Sequence, residues 1–111
     1  MEIRSEKIGD VMAVALKGRL DAATSNTTEA ELLGLIKGGE RFLVLDLGEL
    51  SYITSMGLAV LLWVAKRLRD VDGKIVVCAL QPTVEQVYEI AGFAKIIPVF
   101  TTRQDAIAGV G

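Results

Sequence analysis

Histidine is absent from the 111 residues. That excludes a Ser-His-Asp triad, a histidine general base and histidine metal ligands together. The single cysteine, Cys78, cannot form an internal disulfide or a thiolate metal cluster. Within "KIVVCAL" it reads as a buried, inert thiol suited to a reducing compartment. No charge of one sign prevails: twelve basic residues stand against fourteen acidic ones, for a net charge of -2, and neither forms a block. Such a chain offers no extended surface to a polyphosphate backbone, so direct nucleic-acid binding is not expected. The longest apolar run, "MGLAVLLWVA", is about half the length a helix needs to cross a bilayer. The leading "MEIRSEKIGDV" has no apolar h-region of a secretory signal, so a cytoplasmic location without a membrane partner is expected. Neither Gly-x-Gly-x-x-Gly nor a Walker A motif occurs, since "GLIKGGERF" holds its glycines and lysine in the wrong order. No enzyme activity, cofactor or metal is expected. Repeats, low-complexity tracts and linkers are also missing.

What is present is apolar material: 51% hydrophobic against 23% charged residues, enough for one packed core and one domain spanning 1–111. "VMAVAL" at 11–16 reads as a buried strand closed by Lys17 and Gly18. Asn26 with Glu29 three residues on predicts a helix over 27–37, striped by Leu32, Leu33 and Ile36 and stopped by Gly38-Gly39. "RFLVLDL" gives a second strand and "GELSYITS" a loop. A helix is predicted from Met56 to Arg69, then a third strand in "KIVVCAL". Pro82 can open the helix "PTVEQVYEIAG", with Val84, Val87, Tyr88 and Ala91 on one face. A short strand in "KIIPVF" must hold Pro98 at an end or edge, because proline cannot donate to a ladder. "TTRQDAIAGV" predicts a last short helix, and the first residues can add an edge strand. Strands alternating with helices predict an α/β fold, a mostly parallel sheet of about 4–5 strands with about four helices.

The stretch "TSMG", residues 54–57, interrupts two apolar segments with a hydroxyl pair. Ser55 falls where a helix N-cap would, which by itself accounts for a serine. The same place suits a phosphate, because free N–H groups and the positive end of the helix dipole lie there. Gly57 would keep the approach to it open. On the helix that follows, Leu58, Leu61, Leu62, Ala65 and Leu68 share one face, and Met56, Val60, Trp63 and Arg67 fall opposite. Either another element such as the C-terminal helix covers Trp63, or this second apolar face docks a partner.

The run "VLDLGELSYITSMGLAVLL" resembles the signature of the STAS domain, named for sulfate transporters and anti-sigma factor antagonists. In it a strand ending in Asp leads to an Asp-Ser-Ser/Ala-Gly-Leu-like helix start. "VMAVALKGRLDAATS" and "GKIVVCAL" are similar to further strands of that family, so the likeness covers nearly the whole chain. The resemblance implies an anti-sigma factor antagonist that binds an anti-sigma factor, itself a serine kinase, until the motif serine is phosphorylated. It implies a PPM-type serine phosphatase that restores binding. Ser55 then becomes the phosphoacceptor, with Thr54 a second candidate standing where many members have Asp. Asp21 and Asp46 match acidic positions bordering the partner surface, though a turn or cap contact would account for either equally. The expected partner surface is Asp21, Asp46, Thr54, Met56, Gly57, Val60 and Trp63. The alternative is a STAS module without the switch, in a signalling scaffold, a secretion regulator or a transporter-associated complex. A response-regulator receiver fits poorly, since "VALKGRLD" offers one acid where an acidic pair is needed and "IIPVF" has no Lys-Pro step.

Overall fold

Apolar residues on both alternating faces of a strand require cover on both sides, and the computed structural model, which describes all 111 residues, supplies it. Strand β1 (Glu2–Ile8) turns through Gly9-Asp10 into β2 (Val11–Leu20). Helix α1 (Ser25–Lys37), strand β3 (Phe42–Ile53), helix α2 (Ser55–Asp70) and strand β4 (Lys74–Cys78) follow. Helix α3 (Pro82–Ile90), a 3₁₀ turn at Phe93–Lys95, strand β5 (Val99–Phe100) and helix α4 (Arg103–Val110) complete the chain. The sheet order is β1-β2-β3-β4-β5, with β1 antiparallel to β2 and the remaining pairs parallel.

Every parallel step moves the same way across the sheet, so crossovers of one hand stack α1, α2 and α3 on one face. There Leu43, Leu45 and Leu47 of β3 meet Leu32 and Ile36 of α1, Leu58, Leu61 and Leu68 of α2, and Val84 and Tyr88 of α3. Only α4 covers the other face, where Ala106 and Val110 pack on Val11, Val44, Val76 and Cys78. Burial pushes the Cys78 thiol up to about 11, with the Asp46 charge adding to it. No helix is long and apolar enough to cross a membrane.

Two local expectations need correction. Strand β2 does not stop at Leu16, and "GELSYI" is strand rather than loop: Lys17, Gly18, Arg19 and Leu20 pair with Glu49, Leu50, Tyr52 and Ile53. Leu20, Leu50 and Ile53 are fully buried anchors between exposed polar neighbours, and that alternation carries both strands onward. Bulges at Ala15/Lys17 and Gly18/Arg19 absorb the extra β3 residues. Helix α1 starts at Ser25 rather than 27, so Asn26 lies inside it. The Asp21 carbonyl accepts the N–H groups of Thr24 (3.2 Å) and Ser25 (2.9 Å), which winds the chain early. The short strand expected in "KIIPVF" is there: β5 is Val99–Phe100, at the sheet edge with Pro98 just ahead of it. Val77 N–H donates to the Pro98 carbonyl, but the next donor back along β5 would be Pro98 itself, which has none.

Candidate functional site

The site forms where β2 and β3 end together. Leu20 and Ile53 are register partners, and the Leu20 carbonyl accepts the N–H of Thr54 at 3.1 Å. That bond holds Thr54 in extended backbone (φ -103°, ψ 174°), where its Oγ1 accepts the N–H of Gly57 at 3.3 Å. Thr54 is therefore the N-cap of α2, and the expectation that Ser55 caps the helix is corrected by one residue. Removing a Thr cap costs about 0.5–2 kcal/mol. Thr54→Ala should lower stability by that amount in urea unfolding while Thr54→Ser keeps most of it.

Ser55 is the first helical residue, exposed, and no side-chain hydrogen bond engages its hydroxyl. The N–H groups of Ser55 and Met56 lie in the first turn, too early for an acceptor within the helix. A group carried on the Ser55 oxygen thus stands beside free donors at the positive end of a helix of 16 residues.

The expectation that Gly57 keeps the approach to Ser55 open is corrected: Gly57 is buried. A Cβ there would lie 2.8 Å from the Leu20 carbonyl oxygen and 2.9 Å from Ile53 Cγ1. The glycine lets the first turn of α2 press against the end of β2.

Beyond Ser55 the exposed side of α2 runs through Met56, Ala59, Trp63, Lys66 and Arg67. Trp63 keeps 47% of its surface exposed and Met56 53%. Helix α4 sits across the sheet and does not cover them. Val60, expected on this docking face, is 4% exposed and belongs to the core. Helix α1 packs against α2, and this widens the buried arc beyond what the sheet alone would cover.

The two acids part company. Asp21 directly follows Leu20 at the end of the sheet where α2 begins. Its carboxylate accepts the N–H groups of Ala23 (3.0 Å) and Thr24 (3.3 Å), and Arg19 Nε lies 3.6 Å away. Partial desolvation works against ionisation, but those hydrogen bonds and the arginine together hold the carboxyl below its ordinary value. Asp46 alternates with Leu45 and Leu47 and so faces the α4 side, the opposite face from α2. There it accepts from Gly48 N–H (3.0 Å) and Arg103 Nε (3.0 Å), and Arg103 also reaches Glu6 at 2.9 Å. Despite desolvation, the Asp46 and Glu6 carboxylates raise the Arg103 pKa further. Asp46 thus ties α4 to the sheet and does not join the surface around Ser55.

Sequence reasoning missed one feature of this rim. Arg19 lies over the Tyr52 ring, 4.5 Å from its centroid, and Tyr52 is 41% exposed. The two are register partners immediately before Leu20 and Ile53, and the alternation in "GELSYI" was the signal for it.

The STAS domain family model matches residues 2–106. The chain belongs to the STAS domain family. This STAS domain is 45% identical over 108 residues to BtrV of Bordetella bronchiseptica, which carries the name of an anti-sigma factor antagonist; the match covers 97% of this chain and 93% of BtrV. Among solved structures, an anti-sigma factor antagonist from Mycobacterium paratuberculosis superposes with a TM-score of 0.90 at 25% identity, over 98% of this chain and 92% of that one. The Bacillus cell fate determinant SpoIIAA shares the fold. In its unphosphorylated form it gives a TM-score of 0.81 at 22% identity, over 96% of this chain and 93% of that one. In its phosphorylated form it gives 0.75 at 21% identity, over 99% and 100%.

Proposed function

We propose that this STAS domain is a cytoplasmic anti-sigma factor antagonist, a binding module rather than an enzyme. It docks on an anti-sigma factor that is also a serine kinase, and phosphorylation of Ser55 ends the contact. The observation that carries this reading is the exposed, uncommitted Ser55 hydroxyl at the head of the Met56–Trp63 face of α2. The name of the BtrV relative supports the same partner class.

The physical logic is desolvation. A serine hydroxyl can be covered by a partner at modest cost, whereas phosphoserine brings about -1.5 to -2 charges that must shed water or find cations. The free N–H groups of Ser55 and Met56 let α2 tolerate that charge without unfolding. Phosphorylation therefore changes what can dock and leaves the fold alone. Thr54 is the poorer acceptor, since its hydroxyl oxygen is held by Gly57 N–H. A PPM-type serine phosphatase would reset the switch.

The chemistry is tested by incubating the purified chain with ATP and its cognate serine kinase and mapping the product by mass spectrometry. One phosphate on Ser55, absent from Ser55→Ala, is the expected outcome. Equal modification of Ser55→Ala would defeat the assignment.

A further inference from the structure

The sheet has two edges, and they are protected differently: β5 by its shortness and a proline, β1 only by charged side chains, Glu2, Arg4, Glu6 and Lys7. At the β5 edge the strand is Val99–Phe100 and is preceded by Pro98, features that blunt an edge against pairing. At the other edge β1 runs from Glu2 to Ile8 with no proline, no bulge and no strand beyond it. We propose that the outer edge of β1 is the pairing site for a second copy of this chain, forming a symmetric dimer with one sheet continuous across both copies.

The register follows from the hairpin. Gly9 has φ +59° and Asp10 has no positive φ, the pattern of a type II′ turn, which closes with a hydrogen-bonded pair at Ile8 and Val11. Alternation then turns the backbone of Glu6, Arg4 and Glu2 toward β2, and that of Lys7, Ser5 and Ile3 outward. In an antiparallel pairing of "EIRSEKI" with itself, Ser5 opposite Ser5 aligns all three outward residues of each copy as hydrogen-bonding partners. It also sets Arg4 opposite the second copy's Glu6, and Glu6 opposite the second copy's Arg4. Sliding by two residues one way opposes Arg4 to Arg4 and Glu2 to Glu6; sliding the other way opposes Glu6 to Glu6. A slip of one residue would turn every side chain to the wrong face. The self-complementary charges thus select the register that also makes the most backbone bonds.

Within one chain Arg4 donates to Glu2 and Arg103 to Glu6, but both β1 side chains stay open enough to pair across the edge as well. The Arg4 side chain is 77% exposed and Glu6 66%, and the cation beside Glu6, Arg103, would join the cluster. The α2 face stays free, because α2 packs over β3 and β4 while β1 lies beyond β2. A dimer would therefore present two Ser55 sites together.

Sedimentation equilibrium of the full chain over a rising concentration series at low salt tests this directly. Circular dichroism melts confirm that each variant folds. The expected result is a mass moving from one chain toward two, and back toward one when salt screens the pairs. Ser5→Pro removes an outward N–H and no bond to β2, and should abolish the shift. Arg4→Glu and Glu6→Lys should each stay monomeric alone, and an equimolar mixture should regain a one-to-one dimer. A wild-type chain that stays monomeric into the millimolar range overturns the proposal. So does a Ser5→Pro chain that associates like wild type, or a mixture that fails to associate when wild type does.

Discussion

Trp63→Ala lowers affinity for the anti-sigma partner by about 30- to 1,000-fold, the equivalent of about 2–4 kcal/mol for an aromatic anchor at the centre of an interface. Its effect on thermal unfolding is smaller, because only about half of the side chain packs on the domain, and the chain still melts cooperatively. The contrast rests on where Trp63 stands: 47% exposed, on the side of α2 turned away from the sheet, with α4 on the far face and unable to cover it. Val60 is the control. At 4% exposure inside the core, Val60→Ala should lower stability and reduce binding only as far as it reduces the folded population. Titration calorimetry of both variants, read beside their melting curves, separates the two roles. A Trp63→Ala chain that binds like wild type removes α2 from the interface.

Gly57→Ala unfolds easily, and the sign of that effect is informative. In an open helix interior, replacing glycine by alanine stabilises by about 0.4–1 kcal/mol. Gly34 of α1 is such a position, with open space where a Cβ would sit, so Gly34→Ala should raise the melting temperature. At Gly57 the added carbon would meet the Leu20 carbonyl oxygen at 2.8 Å, with Leu20 Cγ and Ile53 Cγ1 each at 2.9 Å. The strand end must move, at a cost of about 1–3 kcal/mol, or about 4–8 °C of melting temperature per kcal/mol in a small domain. Movement also disturbs the carbonyl that holds Thr54 N–H at 3.1 Å, so the cap loosens and Ser55 loses its place at the head of α2. Scanning calorimetry of the two alanine variants should show shifts of opposite sign. A Gly57→Ala chain as stable as Gly34→Ala would mean that α2 does not press on Leu20.

Where the apolar pattern had to be satisfied on both faces, as in Phe42–Leu45 and Ile75–Cys78, the strands were legible in sequence, and so was their parallel arrangement with crossover helices. The errors fall where a tertiary contact decides a local matter. Whether Thr54 or Ser55 caps α2 depends on the Leu20 carbonyl, which lies 34 residues away in sequence from Thr54. The fate of Val60 depends on α1 packing beside α2, which a helical wheel drawn against the sheet alone omits. Asp46 was grouped with the Ser55 surface by resemblance, but strand alternation sends it to the α4 side. Its partner Arg103, 57 residues on, has no signature in sequence. The exposure of Trp63 was left open by the pattern and is decided by topology, since the last helix returns on the opposite face.

The central claim is that charge on one oxygen, at the start of α2, decides docking. The direct measurement is the affinity of the anti-sigma partner for the chain stoichiometrically phosphorylated on Ser55, compared with the unmodified chain in the same titration. An uncompensated charge buried at an interface costs about 3–5 kcal/mol, so binding should fall on the order of 100-fold or more, while the melting temperatures of the two forms stay close. Equal or tighter binding of the phosphorylated chain would contradict the account.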